Sequence, residues 1–167
     1  MPRLYLLRHA KSDWGDDDLD DHERPLAPRG ERAAVDIGDY LNGQGVRLDK
    51  VLVSSARRAL DTWSLLGPRL DNPPQPEVAR DLYLCGPGHL LARAQATDES
   101  VGSLMIVAHN PDLQQLTRML AGPNVRPSPE LSKFPTCACA CIELDDWPSL
   151  SAGGSRLAWL ITPKTLP

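Results

Sequence analysis

Apolar residues come in short unbroken runs, and between the runs they recur every three or four positions. Leu4–Leu7 is all apolar, brief and stopped by charge, which predicts a buried strand. After a polar stretch from Trp14, "APRGERAAVDIGDYLNGQG" places Ala34, Ile37 and Leu41 at helical spacing and ends on Gly43 and Gly45. A second strand, Val51 to Val53, leads into a helix in "ARRALDTWSLLGPRL", with Ala59, Trp63 and Leu66 on one side until Gly67-Pro68 breaks it. A weak strand around Val78 and Ala79 precedes a third helix in "GPGHLLARAQA", and "SLMIVAHN" is the strongest strand pattern in the chain. It runs directly into the helix "PDLQQLTRML", which Gly122-Pro123 ends. Two alternating segments, "TCACACIEL" and "SRLAWLIT", flank a turn-rich stretch and predict an antiparallel pair.

Strands alternating with helices imply an α/β fold, a three-layer α/β/α sandwich around a mostly parallel sheet. With 167 residues and no linker or repeat, the expectation is a single domain over 1–167. In open sheets of this kind ligands bind beyond the carboxyl ends of the strands, so the strand ends are where chemistry is sought.

Composition narrows the classes. A hydrophobic share of 41% and a charged share of 24% suit a globular domain, and a net charge of -4 gives no general attraction to nucleic acid or to an anionic membrane. No apolar run reaches the roughly 18 to 20 residues of a membrane span, and "MPRLYLL" is too short for a signal-peptide core, so a cytoplasmic location is expected. Three of the four cysteines, Cys137, Cys139 and Cys141, alternate and so share one strand face, which reads as packing; no metal or cofactor is expected.

The strand ends carry a common chemistry. The first ends in Arg8-His9, the second leads through Ser54-Ser55 to Arg57-Arg58, and "LMIVA" ends in His109-Asn110. Arginine forks match phosphate oxygens, and an imidazole is a nucleophile near neutral pH without needing a separate base. Helices opening after Ser55 and at Pro111 would aim free N–H groups at the same place. The acidic run from Asp13 to Glu23 reads as a solvated loop; flanking the pocket, it would repel highly anionic substrates and favour basic protein surfaces. Arg58 reads as a solvated helix residue, His22 and His89 as surface residues, and the tryptophans as packing residues, with Trp14 near enough to line a rim.

"LLRHAKSDW", "RPLAPRGERAA", "VLVSSARRALDT" and "VAHNP" together resemble, in this order, the four signature segments of the histidine phosphatase superfamily, whose fold is phosphoglycerate mutase-like. The first segment usually reads Arg-His-Gly, and here its third residue is Ala10. Short length and the "RHAKSDW" form most resemble the small SixA-like phosphohistidine phosphatase branch. The resemblance implies that His9 becomes phosphorylated, that Arg8 and Arg57 hold phosphate oxygens, and that His109 completes the pocket, all without a metal. It adds Ser12 as a phosphate-contacting hydroxyl, and Pro25, Leu26 and Gly30 as backing for the site. Relatives that cleave esters usually carry an acid after the middle loop, where this chain offers only Asp81.

A phosphoramidate can lose a neutral imidazole with less help than an alkoxide needs, so this weak acid position leans toward phosphohistidine in a protein as substrate. The alternatives are a phosphomonoesterase for small phosphate esters using Asp81 as general acid, and a phosphate-binding module without turnover.

Overall fold

The apolar runs become one sheet. In the computed structural model, which describes residues 1–123 and 125–167, it is six-stranded over those residues, in the order β3-β2-β4-β1-β5-β6. The strands are β1 (Arg3–Arg8), β2 (Lys50–Ser54), β3 (Glu77–Ala79), β4 (Ser103–Ala108), β5 (Cys139–Leu144) and β6 (Ser155–Ile161). β3, β2, β4 and β1 are mutually parallel, while β5 and β6 add as an antiparallel edge. The mostly parallel sheet and the antiparallel last pair both follow the sequence pattern.

Helices cover both faces. They are α1 (Pro28–Gly43), α2 (Arg57–Leu66), α3 (Pro87–Gln95), α4 (Asp112–Ala121) and a short α5 (Pro129–Lys133). Strand alternation sorts the core into two halves. Tyr5 and Leu7 pack with Ala34, Ile37 and Leu41 of α1 and with Ala59, Trp63 and Leu66 of α2. Leu4 and Leu6 pack with Leu90 of α3 and with Leu113, Leu116 and Leu120 of α4 on the opposite face. The periodicity does not show α5, but a local signal does: the Ser128 side chain accepts a hydrogen bond from the Leu131 N–H, and Pro129 sits in the first turn.

Cys137, Cys139 and Cys141 lie together in the α1/α2 half of the core as free thiols, and burial pushes all three pKa values up. They are packing residues. Trp63 and Trp147 are buried, whereas Trp14 is exposed with the Arg24 guanidinium 4.0 Å over its ring.

Register decides where the chemistry lies. Arg8 on β1 pairs with Ala108 on β4, so the next residues, His9 and His109, leave neighbouring strands side by side. β2 flanks β4 on its other side and delivers Ser54 to the same level. The chain steps outward from β1 to β2 and β3 and then returns to place β4 between β2 and β1, so the order reverses at these strand ends.

Candidate active site

His9 is 6% exposed, and its Nδ1 lies 2.7 Å from the carbonyl oxygen of Ala10. A carbonyl can only accept, so the proton sits on Nδ1 and Nε2 presents a lone pair. The loop carrying it is fixed from three sides. The His9 N–H donates to Ala108 O, the Cys137 N–H donates to His9 O, and the Ala10 N–H donates to Thr62 Oγ1 on α2 at 2.9 Å. Burial, with the nearby His109, Arg58 and Arg8, pushes the His9 pKa down to about 3 despite the opposing bond to Ala10.

His109 lies with its ring centroid 5.3 Å from that of His9, and its Nε2 is 2.7 Å from Ser54 Oγ. Burial first, and the Arg58 charge second, push its pKa down to about 4. Both rings are therefore neutral at pH 7.

Arg8 donates from Nη1 to Phe134 O at 3.1 Å, and its buried Nε has no partner among the described residues. Asn110 grips the same segment, donating to Lys133 O and Phe134 O. Burial and then the Arg58 charge lower the Arg8 pKa, and the Arg8 charge in turn helps to lower those of both imidazoles.

The second arginine at the pocket is Arg58, correcting the expectation that assigned Arg57 there and left Arg58 in solvent. The Arg57 side chain is 52% exposed and pairs with Asp61 one turn on, at 3.5 Å. Arg58 is 7% exposed; its Nε lies 3.4 Å from His9 Nε2 and its Nη2 3.5 Å from His109 Nδ1. Helical phase explains the difference. Thr62 and Arg58 lie one turn apart on the flank of α2 that meets the sheet end, and the Thr62 hydroxyl donates to Arg58 O.

Two residues the sequence reading left outside the site complete it. Asp21, from the acidic run, accepts from Arg58 Nη2 at 3.0 Å and from the Tyr83 hydroxyl at 2.5 Å, and its backbone oxygen accepts from Arg58 Nη1 at 2.7 Å. The Tyr83 hydrogen bond above all, with the Arg58 and Arg24 guanidiniums, holds its carboxyl below the usual range against the opposing effect of burial. Tyr83 meets the His109 and His22 rings edge-on, and His22 Nε2 lies 2.9 Å from Ser55 Oγ. Most of the run, including Asp13, Asp16, Asp17, Asp18 and Asp20, is exposed as expected.

Asp81 is not brought to the pocket. Its Oδ2 is held by His89 Nε2 at 2.6 Å and by Arg93 Nε at 3.1 Å, and it touches none of Arg8, His9, Arg58 and His109 among the described residues. The His89 hydrogen bond keeps it ionised, so the ester mechanism built on Asp81 loses its acid. Ser12 is buried in a backbone bridge to Leu26, with no hydrogen bond to its hydroxyl among the described residues. Gly30 backs this loop closely: a Cβ there would lie 2.2 Å from Lys11 O, which accepts from the Ala27 N–H.

Residues 4–82 match the family model "Histidine phosphatase superfamily (branch 1)". The chain is 31% identical to the phosphohistidine phosphatase SixA of Escherichia coli K12 over 98% of its own length and 96% of that protein. It is 33% identical to an uncharacterised protein of Mycobacterium tuberculosis, covering 95% of this chain and all of the other. A solved structure of the protein histidine phosphatase SixA complexed with tungstate superposes with a TM-score of 0.82 at 30% identity, covering 99% of both chains.

Proposed function

The chain belongs to the histidine phosphatase superfamily and is a phosphatase, and on that premise we propose that it removes phosphate from phosphohistidine in a protein, without a metal, through a covalent intermediate on His9. The observation that carries this reading is the neutral His9, with Nδ1 tied to Ala10 O and Nε2 directed at the Arg58 guanidinium. In the first step the Nε2 lone pair attacks phosphorus and the P–N bond of the substrate breaks, so that the substrate imidazole, already protonated on its other nitrogen, leaves as the neutral ring. In the second, water attacks the phosphorus on His9, and the P–Nε2 bond breaks to release inorganic phosphate and neutral His9.

Arg58 and Arg8 stabilise the equatorial oxygens as charge gathers on them, and His109, fixed by Ser54, adds a hydrogen bond at the same centre. The carboxylates near or behind the pocket, Asp21 and Asp81, are both held ionised. That suits a leaving imidazole and not an alkoxide, which would need a proton donor. Tungstate, the ligand in the SixA complex, is a tetrahedral oxyanion of the kind this pocket fits.

We also place the protein in the cytoplasm, where reducing conditions keep its four free cysteines as thiols. No helix among the described residues is long and apolar enough to cross a membrane.

The test is turnover of a ³²P-labelled phosphohistidine protein. Wild type is expected to release phosphate through an acid-labile, alkali-stable phosphoenzyme; His9→Ala is expected to do neither, and turnover by that variant would overturn the mechanism.

A further inference from the structure

Beside the pocket lies a second cleft, partly apolar and rimmed by cations. A cleft of about 310 Å³ is walled by Lys11, Arg29, Lys133 and Lys164, together with Thr136 and the carboxylate of Glu130. In a chain of net charge -4 this is an unusual concentration of cations. Several exposed cations elsewhere are neutralised: Arg47 pairs with Asp71, Lys50 with Glu77, Arg57 with Asp61 and Arg69 with Asp39. Among the described residues, none of the four at the cleft has an acidic partner. Their uncompensated charge makes a local field that attracts anions.

The cleft shares a wall with the catalytic pocket. Arg8 and Asn110 hold the backbone oxygens of Lys133 and Phe134, and the Cys137 N–H bonds His9 O. The same segment turns Lys133, Pro135 and Thr136 into the cleft. Lys11, two residues beyond His9, closes it from the other strand end. At the pocket itself the Arg58 charge is answered by Asp21. The cleft thus adds cations without acidic partners next to the pocket.

We propose that this cleft receives acidic side chains of the phosphoprotein substrate, lying next to its phosphohistidine, and so fixes the direction in which the substrate crosses the pocket. The proposal rests on the phosphohistidine reading above and adds a specificity site to it. Exposed ion pairs are individually weak, so the cleft tunes KM by a modest factor and leaves the chemical step to the pocket. Phosphate mono- or dianion capture at the cleft itself is not required, since carboxylates supply the charge.

Two phosphohistidine peptides of equal length, one flanked by Asp and Glu and one by Asn and Gln, test this alongside free phosphohistidine. The acidic peptide is expected to have a KM about three- to tenfold lower at low salt with the same kcat, and the advantage is expected to vanish in high salt. The Lys133→Glu/Lys164→Glu double variant, which alters exposed positions, is expected to reverse the ranking of the two peptides. Equal KM values in the wild type, or a ranking unchanged in the double variant, would overturn the inference while leaving the phosphohistidine reading standing. Failure to hydrolyse free phosphohistidine and both peptides would overturn that reading, and the inference with it.

Discussion

Ala10 fixes the tautomer of His9: its carbonyl oxygen accepts the Nδ1 proton at 2.7 Å, leaving Nε2 as the only nitrogen free to react. Burial then keeps Nε2 unprotonated, with the pKa of the ring pushed down to about 3. In ¹⁵N spectra of the free enzyme, Nε2 of His9 is expected to stay deprotonated from pH 8 to pH 5. A titration centred near 6.5 would contradict the buried, neutral nucleophile.

The same depression has a consequence for stability. His9 and His109, with folded values of about 3 and about 4, refuse protons that the unfolded chain accepts near 6.5. Their neutral forms therefore stabilise the fold in full above that value, and the contribution is lost as pH falls toward the folded values. Between pH 6 and pH 4.5 each ring is expected to cost up to about 1.4 kcal/mol per pH unit. Urea midpoints should fall over that window, and His109→Gln should flatten the fall.

Arg57 and Arg58 provide a paired control. Arg58→Ala removes a buried guanidinium at the reacting centre and is expected to lower kcat/KM by about 10²- to 10³-fold. Arg57→Ala removes only an exposed pair with Asp61 and is expected to change it less than about twofold. Steady-state assays on phosphohistidine check both, and the reverse ranking would return Arg57 to the pocket.

Asp81 and Asp21 separate in the same way. Asp81→Asn is expected to leave phosphohistidine turnover within about twofold of wild type, because its partners are His89 and Arg93. Asp21→Asn loosens the hold on Arg58 and is expected to cost about tenfold in kcat/KM, the loss of a charge-assisted hydrogen bond. Full activity in the Asp21 variant would show that Arg58 is positioned without it.

Gly30→Ala tests the close approach of α1 to the nucleophile loop. A methyl 2.2 Å from a backbone oxygen forces α1 away from Lys11, with an expected loss of about 1–3 kcal/mol by overpacking, measurable as a lower Tm. An unchanged Tm would mean the helix start yields freely.

Much of this arrangement was legible in the sequence because it depends on strand ends. The apolar runs located β1, β2 and β4, and His9 and His109 follow their last residues directly, so position along the chain was enough. Position along the chain does not separate Arg57 from Arg58, because two adjacent arginines open a helix and their roles depend on a rotation of roughly 100° between neighbours. The signal was present in Asp61, four residues after Arg57, and in Thr62, four after Arg58. Asp21 and Tyr83 come from irregular segments, where no periodicity tells which side chain turns inward. The basic cleft joins residues from four separated stretches, and only the folded chain assembles them.

The Thr62 hydroxyl accepts from the peptide N–H after His9 and donates to the peptide oxygen of Arg58. One small side chain thereby acts as a spacer between attacking atom and charge-stabilising fork, so that a slip of α2 along the sheet would carry both in concert. Alignment of the two is built into the scaffold before any phosphoryl group arrives, and damage at this remote hydroxyl would blur it while every group in contact with the reacting centre stayed chemically intact.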